Sequence, residues 1–255
     1  MSSAAPKTVL KAISLLNLVA ANPDHTLSEL SRLADMPAPT VLRLLRALQE
    51  ESLVEVDRDG RYRLGVHCLV LGSTYLESFD LRKEARLELE ALADEFDETV
   101  HLGVPDGIEV IYVDKVETSH SVRMYSRIGA RSPMHSTGIG KAILAYAGDD
   151  LFQAVVEGGL PRRTPNTITD PDRLAEELER TRERGYSIDD IENEEGIRCA
   201  AAPVLSADGT PVAALSVSGP ASRITEDRLP ELGKAVTEVA ERLSARLGYK
   251  RKDHA

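Results

Sequence analysis

Apolar residues recur at helical spacing through the first fifty positions, and after a second helical run the periodicity changes to two from Thr99. That order constrains the fold more than any single motif. Strands that follow one another, instead of alternating with helices, argue against a doubly wound parallel sheet, and no dinucleotide fingerprint is present. The expectation is an α+β chain of antiparallel strands with helices at the sides and ends, preceded by a small helical module.

In that module Val9, Ile13, Leu16 and Ala20 predict a first helix, stopped at Asn22-Pro23-Asp24. Thr26 reads as the N-cap of a short second helix with Glu29 completing a capping box, and Leu27, Leu30 and Leu33 as its buried face. Asp35-Met36-Pro37 breaks the helical pattern, and Pro39 suits the first position of a third helix. There Val41, Leu44, Leu45 and Leu48 make one apolar stripe, while Pro39, Thr40, Arg43, Arg46 and Ala47 fall opposite. LVEVDRDGRYRLG then alternates on both sides of Asp59-Gly60, predicting a hairpin with Arg58, Arg61 and Arg63 near its tip and second strand.

Two short helices at a tight turn, followed by a hairpin, describe a winged helix-turn-helix. Arg43 and Thr40, with Arg46 beside them, would reach base edges in the major groove, and the wing arginines would meet phosphates. The same module can also serve protein–protein contact. A single copy buries little surface on DNA, so a dimer reading two half-sites is expected.

The net charge of −11 speaks against nucleic acid until it is divided along the chain. Up to Val66 there are eight Lys and Arg against eight Asp and Glu, so the later residues carry the whole excess. No apolar run approaches the roughly 18 residues of a membrane helix, and Lys11 and Asn17 interrupt the apolar stretch near the start. Cys68 and Cys199 are far apart and in no metal-type spacing, which fits a reduced, cytoplasmic protein. These boundaries give a DNA module at 1–66, a linker helix at 67–80 and a second domain at 81–255. Cys68, Leu69, Leu71, Tyr75, Leu76 and Phe79 make the linker too apolar to stand free, whether it packs on its twin or on its own chain.

Beyond a helix from Leu81 to about Phe96, TVHLGV and IEVIYVDKV form a hairpin about Pro105-Asp106-Gly107, and SVRMYSRIG reads as a further strand. PMHSTGIGKAILA, Pro133 to Ala145, then joins a glycine turn to a helix from Gly140 to about Ala147. A nucleotide phosphate loop would need glycine where His135 stands and Ser or Thr where Ala142 stands, so that reading fails. What remains is a helix start on small residues, with free N–H groups aimed forward. Lys141 is expected at solvent or in a capping role, and His135 on the turn. Asp170-Pro171 opens a helix with Leu174, Leu178 and a Glu176–Arg180 pair, ended by Gly185. RCAAAPVLS and PVAALSVSG form another hairpin, and Leu232, Val236, Val239, Leu243 and Leu247 line a final helix.

The winged helix followed in order by PMHSTGIGKAILA, GYSIDDIENEEGIRCAAAPV and AALSVSGP resembles the isocitrate lyase regulator (IclR) family of bacterial transcription factors, from about Thr8 to Leu247. The resemblance implies a C-terminal sensor domain similar to GAF and PAS modules, dimers or tetramers on palindromic operators, repression of transcription, and small organic acids as effectors. It also implies effector contacts at Met124, Gly138, Ile139, Asp189, Cys199, Ser216 and Ser218. Their chemistry is coherent: two backbone N–H groups and two hydroxyls supply donors for a carboxylate, while Met124 and Ile139 cover apolar surface. Asp189 repels an anion unless it accepts from a hydroxyl, is protonated or meets a cation, which favours a hydroxy or keto acid. In a simpler reading Asp189-Asp190 is a turn and Cys199 a buried apolar residue. No cofactor is expected, and a metal between Cys199 and a carboxylate lacks a histidine at helix spacing. Ala38-Pro39 departs from the Lys-Ser pair frequent in the family, removing a charge and an N–H from the recognition helix. An enzyme built on Cys199, His135 or Asp189 is the rival reading, but no nucleophile–base–orienter set is recognisable.

Overall fold

The computed structural model describes residues 7–77, 80–120 and 126–249. The chain divides into two compact units, Met1–Phe79 and Asp80–Ala255. The first contains α1 (Lys7–Ala21), β1 (His25–Thr26), α2 (Leu27–Leu33), α3 (Ala38–Glu50), β2 (Val54–Val56), β3 (Arg61–Leu64) and α4 (Val66–Glu77). Strand β3 lies between β1 and β2, antiparallel to both.

All four residues of the α3 stripe are buried, joined in one core by Leu15, Val19, Leu30, Val54 and Tyr62. The Glu29 carboxylate accepts from both the Thr26 N–H and the Thr26 hydroxyl at 2.8 Å, fixing the start of α2. Four local expectations need correction. In α1 the residues that reach the core begin at Ala12 and centre on Leu15 and Val19, so Val9 and Ile13 stay half exposed; Leu33 of α2 also faces outward. Pro37 caps α3 and Ala38 opens it, which makes Pro39 its second residue. The wing turn is a four-residue loop, not a two-residue one. Asp57 Oδ1 accepts the N–H groups of Asp59 and Arg61 at 2.9 Å, and Gly60 takes φ +75°, which its missing Cβ permits.

The second unit runs α5 (Asp80–Phe96), β4 (Thr99–Asp106), β5 (Glu109–Val116), β6 (Arg131–Pro133), α6 (Gly138–Tyr146), α7 (Asp149–Glu157), α8 (Pro171–Arg184), β7 (Ser187–Asp190), β8 (Ile197–Leu205), β9 (Pro211–Pro220) and α9 (Leu229–Arg246). Its six strands form one antiparallel sheet in the order β6-β5-β4-β9-β8-β7, which makes the unit α+β. The chain places β9 between β4 and β8, so residues distant in sequence become neighbours at the sheet centre. Helices α5 and α9 pack against this sheet, as does α6.

Asp170 Oδ1 accepts from the Arg173 N–H at 3.0 Å, Gly185 ends α8 at φ +84°, and Glu176 meets Arg180 at 3.2 Å, all as the pattern predicts. Elsewhere the pattern misleads. Pro105 and Asp106 are still paired strand residues, opposite Val110 and Glu109, and the turn falls on Gly107 and Ile108. Of the strand expected in SVRMYSRIG, Ser126 to Gly129 is irregular and ends in a turn, while residues 121–125 lie outside the described residues. The next strand is instead Arg131–Pro133, at the opening of the glycine motif. Leu247 caps α9 and does not join its buried stripe. No expectation covers α7, although Leu151, Phe152 and Val155 recur at helical spacing and pack into the core.

Candidate functional site

On the first unit, α3 turns Arg43 and Arg46 to solvent and leaves Thr40 half-buried beside them. Arg58, Arg61 and Arg63 are exposed on the wing. Two of these already have partners. Arg61 Nη1 donates to the Asp24 carbonyl at 2.7 Å, and Arg63 lies 3.3 Å from Glu55. Arg43, Arg46 and Arg58 therefore present the less committed cations.

On the second unit the site is built around the start of α6. Thr137 caps the helix: its Oγ1 accepts from the Gly140 N–H at 3.1 Å and donates to the Pro133 carbonyl at 2.7 Å. A Cβ on Gly140 would stand 2.3 Å from the backbone of Met134, and one on Gly138 would stand 2.6 Å from Cys199 Sγ. Glycine at 138 lets the helix start press directly on β8, and glycine at 140 lets the Met134 backbone lie against the helix. There the backbone N–H groups of the first turn, which lack intrahelical acceptors, adjoin the sheet.

The face of the sheet beneath is polar, and its register explains why. Asp189, Cys199, Ser218 and Thr99 form one cross-strand row from β7 to β4; Ser187, Ala201, Ser216 and His101 form the next. Residues directly opposite share a face, and those two apart along a strand share it again. Six of the seven effector contacts implied by the resemblance are thus brought together: Gly138, Ile139, Asp189, Cys199, Ser216 and Ser218. Met124 lies outside the described residues. Ser216 Oγ and Ser218 Oγ stand 3.1 Å apart and both side chains are buried.

Asp189 sits on strand β7 and not in a turn. Its Oδ1 accepts the N–H groups of Glu192 at 2.7 Å and Asn193 at 3.3 Å. Burial raises its pKa to about 7, with the Lys141 charge opposing and the Glu192 charge adding. Lys141 is not at the surface: it is fully buried in an ion pair with Glu192, whose own pKa burial pushes upward. Glu192, in the segment that follows β7, neutralises the buried ammonium. His135 Nε2 lies 3.1 Å from the Pro161 carbonyl, away from the glycine turn. Burial and the nearby Asp189 charge push the Cys199 thiol up to about 12, against the pull of Ser218 and the backbone at Gly138. A thiol so disposed is a packing and weak hydrogen-bonding group, not a nucleophile.

Sequence reasoning missed Thr99, His101 and Glu192. Local pattern does mark Thr99 and His101 as sharing a strand face, but nothing local says that β4 will lie beside β9. A cavity of about 310 Å³ opens against the reverse side of β7, lined among others by Ile188, Asp190, Glu192 and Leu229. It contains none of the expected effector contacts. Among the described residues no group of three or more His, Cys, Asp or Glu is placed to hold a metal ion, and no helix is long and apolar enough to cross a membrane.

Comparison with known proteins places these features in one lineage. The family model for the IclR helix-turn-helix domain matches residues 8–58, and that for the bacterial transcriptional regulator IclR C-terminal domain matches residues 73–245. The transcriptional repressor IclR of Escherichia coli (strain K12) is 36% identical over 247 residues, covering 95% of this chain and 90% of the relative. The crystal structure of the Thermotoga maritima IclR superposes with a TM-score of 0.78 at 37% identity, covering 95% of this chain and 99% of that one. An IclR homolog from Microbacterium hydrocarbonoxydans, crystallised in complex with 4-hydroxybenzoate, gives a TM-score of 0.81 at 26% identity, covering 94% and 98%. With a helix-turn-helix unit, an antiparallel sensor-like unit and both family models matched in order, the chain belongs to the IclR family of bacterial transcriptional regulators.

Proposed function

We propose that this regulator is a cytoplasmic repressor, dimeric or tetrameric, that grips a palindromic operator and answers to a small organic acid. Residues 1–66 act as the DNA module, 67–80 as the linker helix and 81–255 as the effector domain. The observation that carries the effector half is the seating of the α6 start on a polar patch of an otherwise apolar sheet. The N–H groups of Gly138 and Ile139 take the ligand carboxylate, and the Ser216 and Ser218 hydroxyls take further oxygens. Asp189 accepts from a ligand hydroxyl or holds a proton. The relative complexed with 4-hydroxybenzoate supports an acid of this kind.

Arg43, Arg46 and Thr40 of α3 face the major groove and Arg58 a phosphate, with Arg61 and Arg63 also shaping the wing. A second copy covers apolar side chains that α1 and α4 leave exposed, including Ile13, Leu69 and Leu71. Ligand binding shifts the dimer between arrangements that bind DNA differently, a coupling of about 1–3 kcal/mol.

Selection from a random duplex library with the full chain should return an inverted repeat. Arg43→Ala should then weaken binding by about 1–3 kcal/mol, and Arg58→Ala should lower the slope of log K against log salt by about one. A thermal-shift screen of keto, sugar and aromatic acids, repeated on Ser218→Ala, tests the other half. An unenriched library, or Arg43→Ala binding as tightly as the parent, refutes the DNA assignment; equal acid responses in both chains refute the pocket.

A further inference from the structure

Two polar atoms on the wall of the site play no part in that reading. Thr99 Oγ1 and His101 Nδ1 are buried and have no hydrogen-bond partner among the described residues. Buried polar groups left unpaired destabilise a fold, so each calls for an account. Their positions are related. They stand two apart on β4, on the same face, with Thr99 directly opposite Ser218 and His101 directly opposite Ser216.

His101 is held for a purpose other than charge. Its Nε2 lies 2.7 Å from Ser126 Oγ, and its ring sits 5.0 Å from that of Tyr112, so both orientation and depth are fixed. Burial, aided by the Lys115 charge, lowers its pKa to about 3. The ring is neutral at any physiological pH and offers Nδ1 as an uncharged donor or acceptor. The Thr99 hydroxyl can serve in either sense too. Together they form a second polar end to the site, without the charge that would hold another carboxylate.

Distance sets what can use both ends. Gly138, the first residue of α6, lies on Cys199 of β8, and Thr99 and His101 of β4 lie two strands away across β9, the Ile139 side chain spanning the gap to Gly103 of β4. Neighbouring strands are about 4.8 Å apart, so the two ends are separated by about 10 Å. An acid of two or three carbons, with bonds of about 1.5 Å, covers one of these steps but not both.

Building on the acid-binding reading above, we propose that Thr99 and His101 form the far end of the effector site, and that the ligand it takes is an elongated acid. Its carboxylate rests on the start of α6, and an uncharged polar group about six bonds away, such as a hydroxyl, reaches Thr99 Oγ1 and His101 Nδ1. Thr99 and His101 are thus specificity residues that separate long hydroxylated acids from short or purely apolar ones.

The full chain should be titrated with 4-hydroxybenzoate against benzoate, with 6-hydroxyhexanoate against hexanoate, and with pyruvate as the short acid. In at least one matched pair the hydroxylated member should bind about tenfold tighter than its partner. Thr99→Val keeps the shape and removes only the hydroxyl; it should bring the ratio to within about twofold. In the ligand-free chain the same variant should melt at an equal or higher temperature, since it deletes an unpaired buried group. His101→Asn, which keeps a donor and an acceptor, should retain more of the ratio than His101→Phe. Equal binding within both pairs, or an unchanged ratio in Thr99→Val, overturns the proposal. So does a Thr99→Val chain that melts well below the parent without ligand. Pyruvate binding that ignores both positions, with no preference within the pairs, leaves acid sensing standing and removes only the far end. No response to any of the five acids removes both.

Discussion

The two faces of the six-stranded sheet are made by the same strands and differ in almost every physical respect. One presents Val100, Leu102 and Val104 of β4, Leu215 and Val217 of β9, and Ala200, Ala202 and Val204 of β8, all buried. The other, two residues out of every four along the same backbone, presents Thr99, His101, Ser216, Ser218, Cys199 and Asp189, equally buried. The first face gains stability from each side chain it removes from water. The second holds hydroxyls, a carboxylate and an imidazole away from water, and Thr99 Oγ1 and His101 Nδ1 have no hydrogen-bond partner among the described residues. Such a face adds little to stability; under the acid-binding proposal it is the surface that a polar guest covers.

That contrast can be broken most forcefully at the charged pair behind the polar face. Lys141→Met leaves Glu192 buried and unpaired, and should lower unfolding free energy by about 3–5 kcal/mol in urea denaturation. A loss below 1 kcal/mol would mean that water reaches Glu192 in solution. Next in size is Leu215→Ala on the apolar face, which should cost about 2–5 kcal/mol by the same measurement. It should leave acid-induced stabilisation of the remaining folded chain intact, because its side chain points away from α6. A chain that keeps its stability but loses its acid response would erase the distinction between the faces.

Asp189→Asn gives a smaller effect with the opposite sign, and one that depends on pH. Asp189 ionises at about 7 in the folded chain, above the 3.8 of an ordinary aspartate. Below both values the two states carry the proton alike. As pH rises towards 7 the unfolded chain ionises first, so the folded state binds more protons and this residue's contribution to stability falls. Asp189→Asn should therefore raise stability by about 2–4 kcal/mol at pH 8 and change it little near pH 4. Thermal melts at the two pH values check the sign. In the parent, an acidic ligand should bind more weakly as pH climbs past 7, and the variant should lose most of that slope.

How much of this was legible depends on how far apart in sequence the interacting residues lie. The α3 stripe, the Thr26–Glu29 cap and the Asp170 and Gly185 signals of α8 each span a few residues, and local periodicity finds them. The strand character of TVHLGV and AALSVSG is legible for the same reason, as is the shared face of Ser216 and Ser218. The phase of α1 was not, because which of its apolar residues meet the core depends on where α2 and α3 lie. Burial of Lys141 has no local signal, since its partner Glu192 arrives from the segment after β7, far along the chain. The row that aligns Asp189 with Thr99 depends on β9 entering between β4 and β8, a topological fact with no local signal. Of the residues assigned from family resemblance, Asp189, Cys199 and Ser218 lie on that row, with Ser216 on the next and Gly138 and Ile139 on the helix above. Resemblance transmits what pairing has already arranged, but it did not point to Thr99 or His101.

The tight seat of Gly138 over Cys199 has one more consequence. An oxygen atom added to Sγ would need the room that the helix start already fills, and the thiol holds its proton far above neutral pH. Peroxide and alkylating agents meet a sulfur that is neither ionised nor reachable. The cysteine therefore serves as an inert tile under the start of α6.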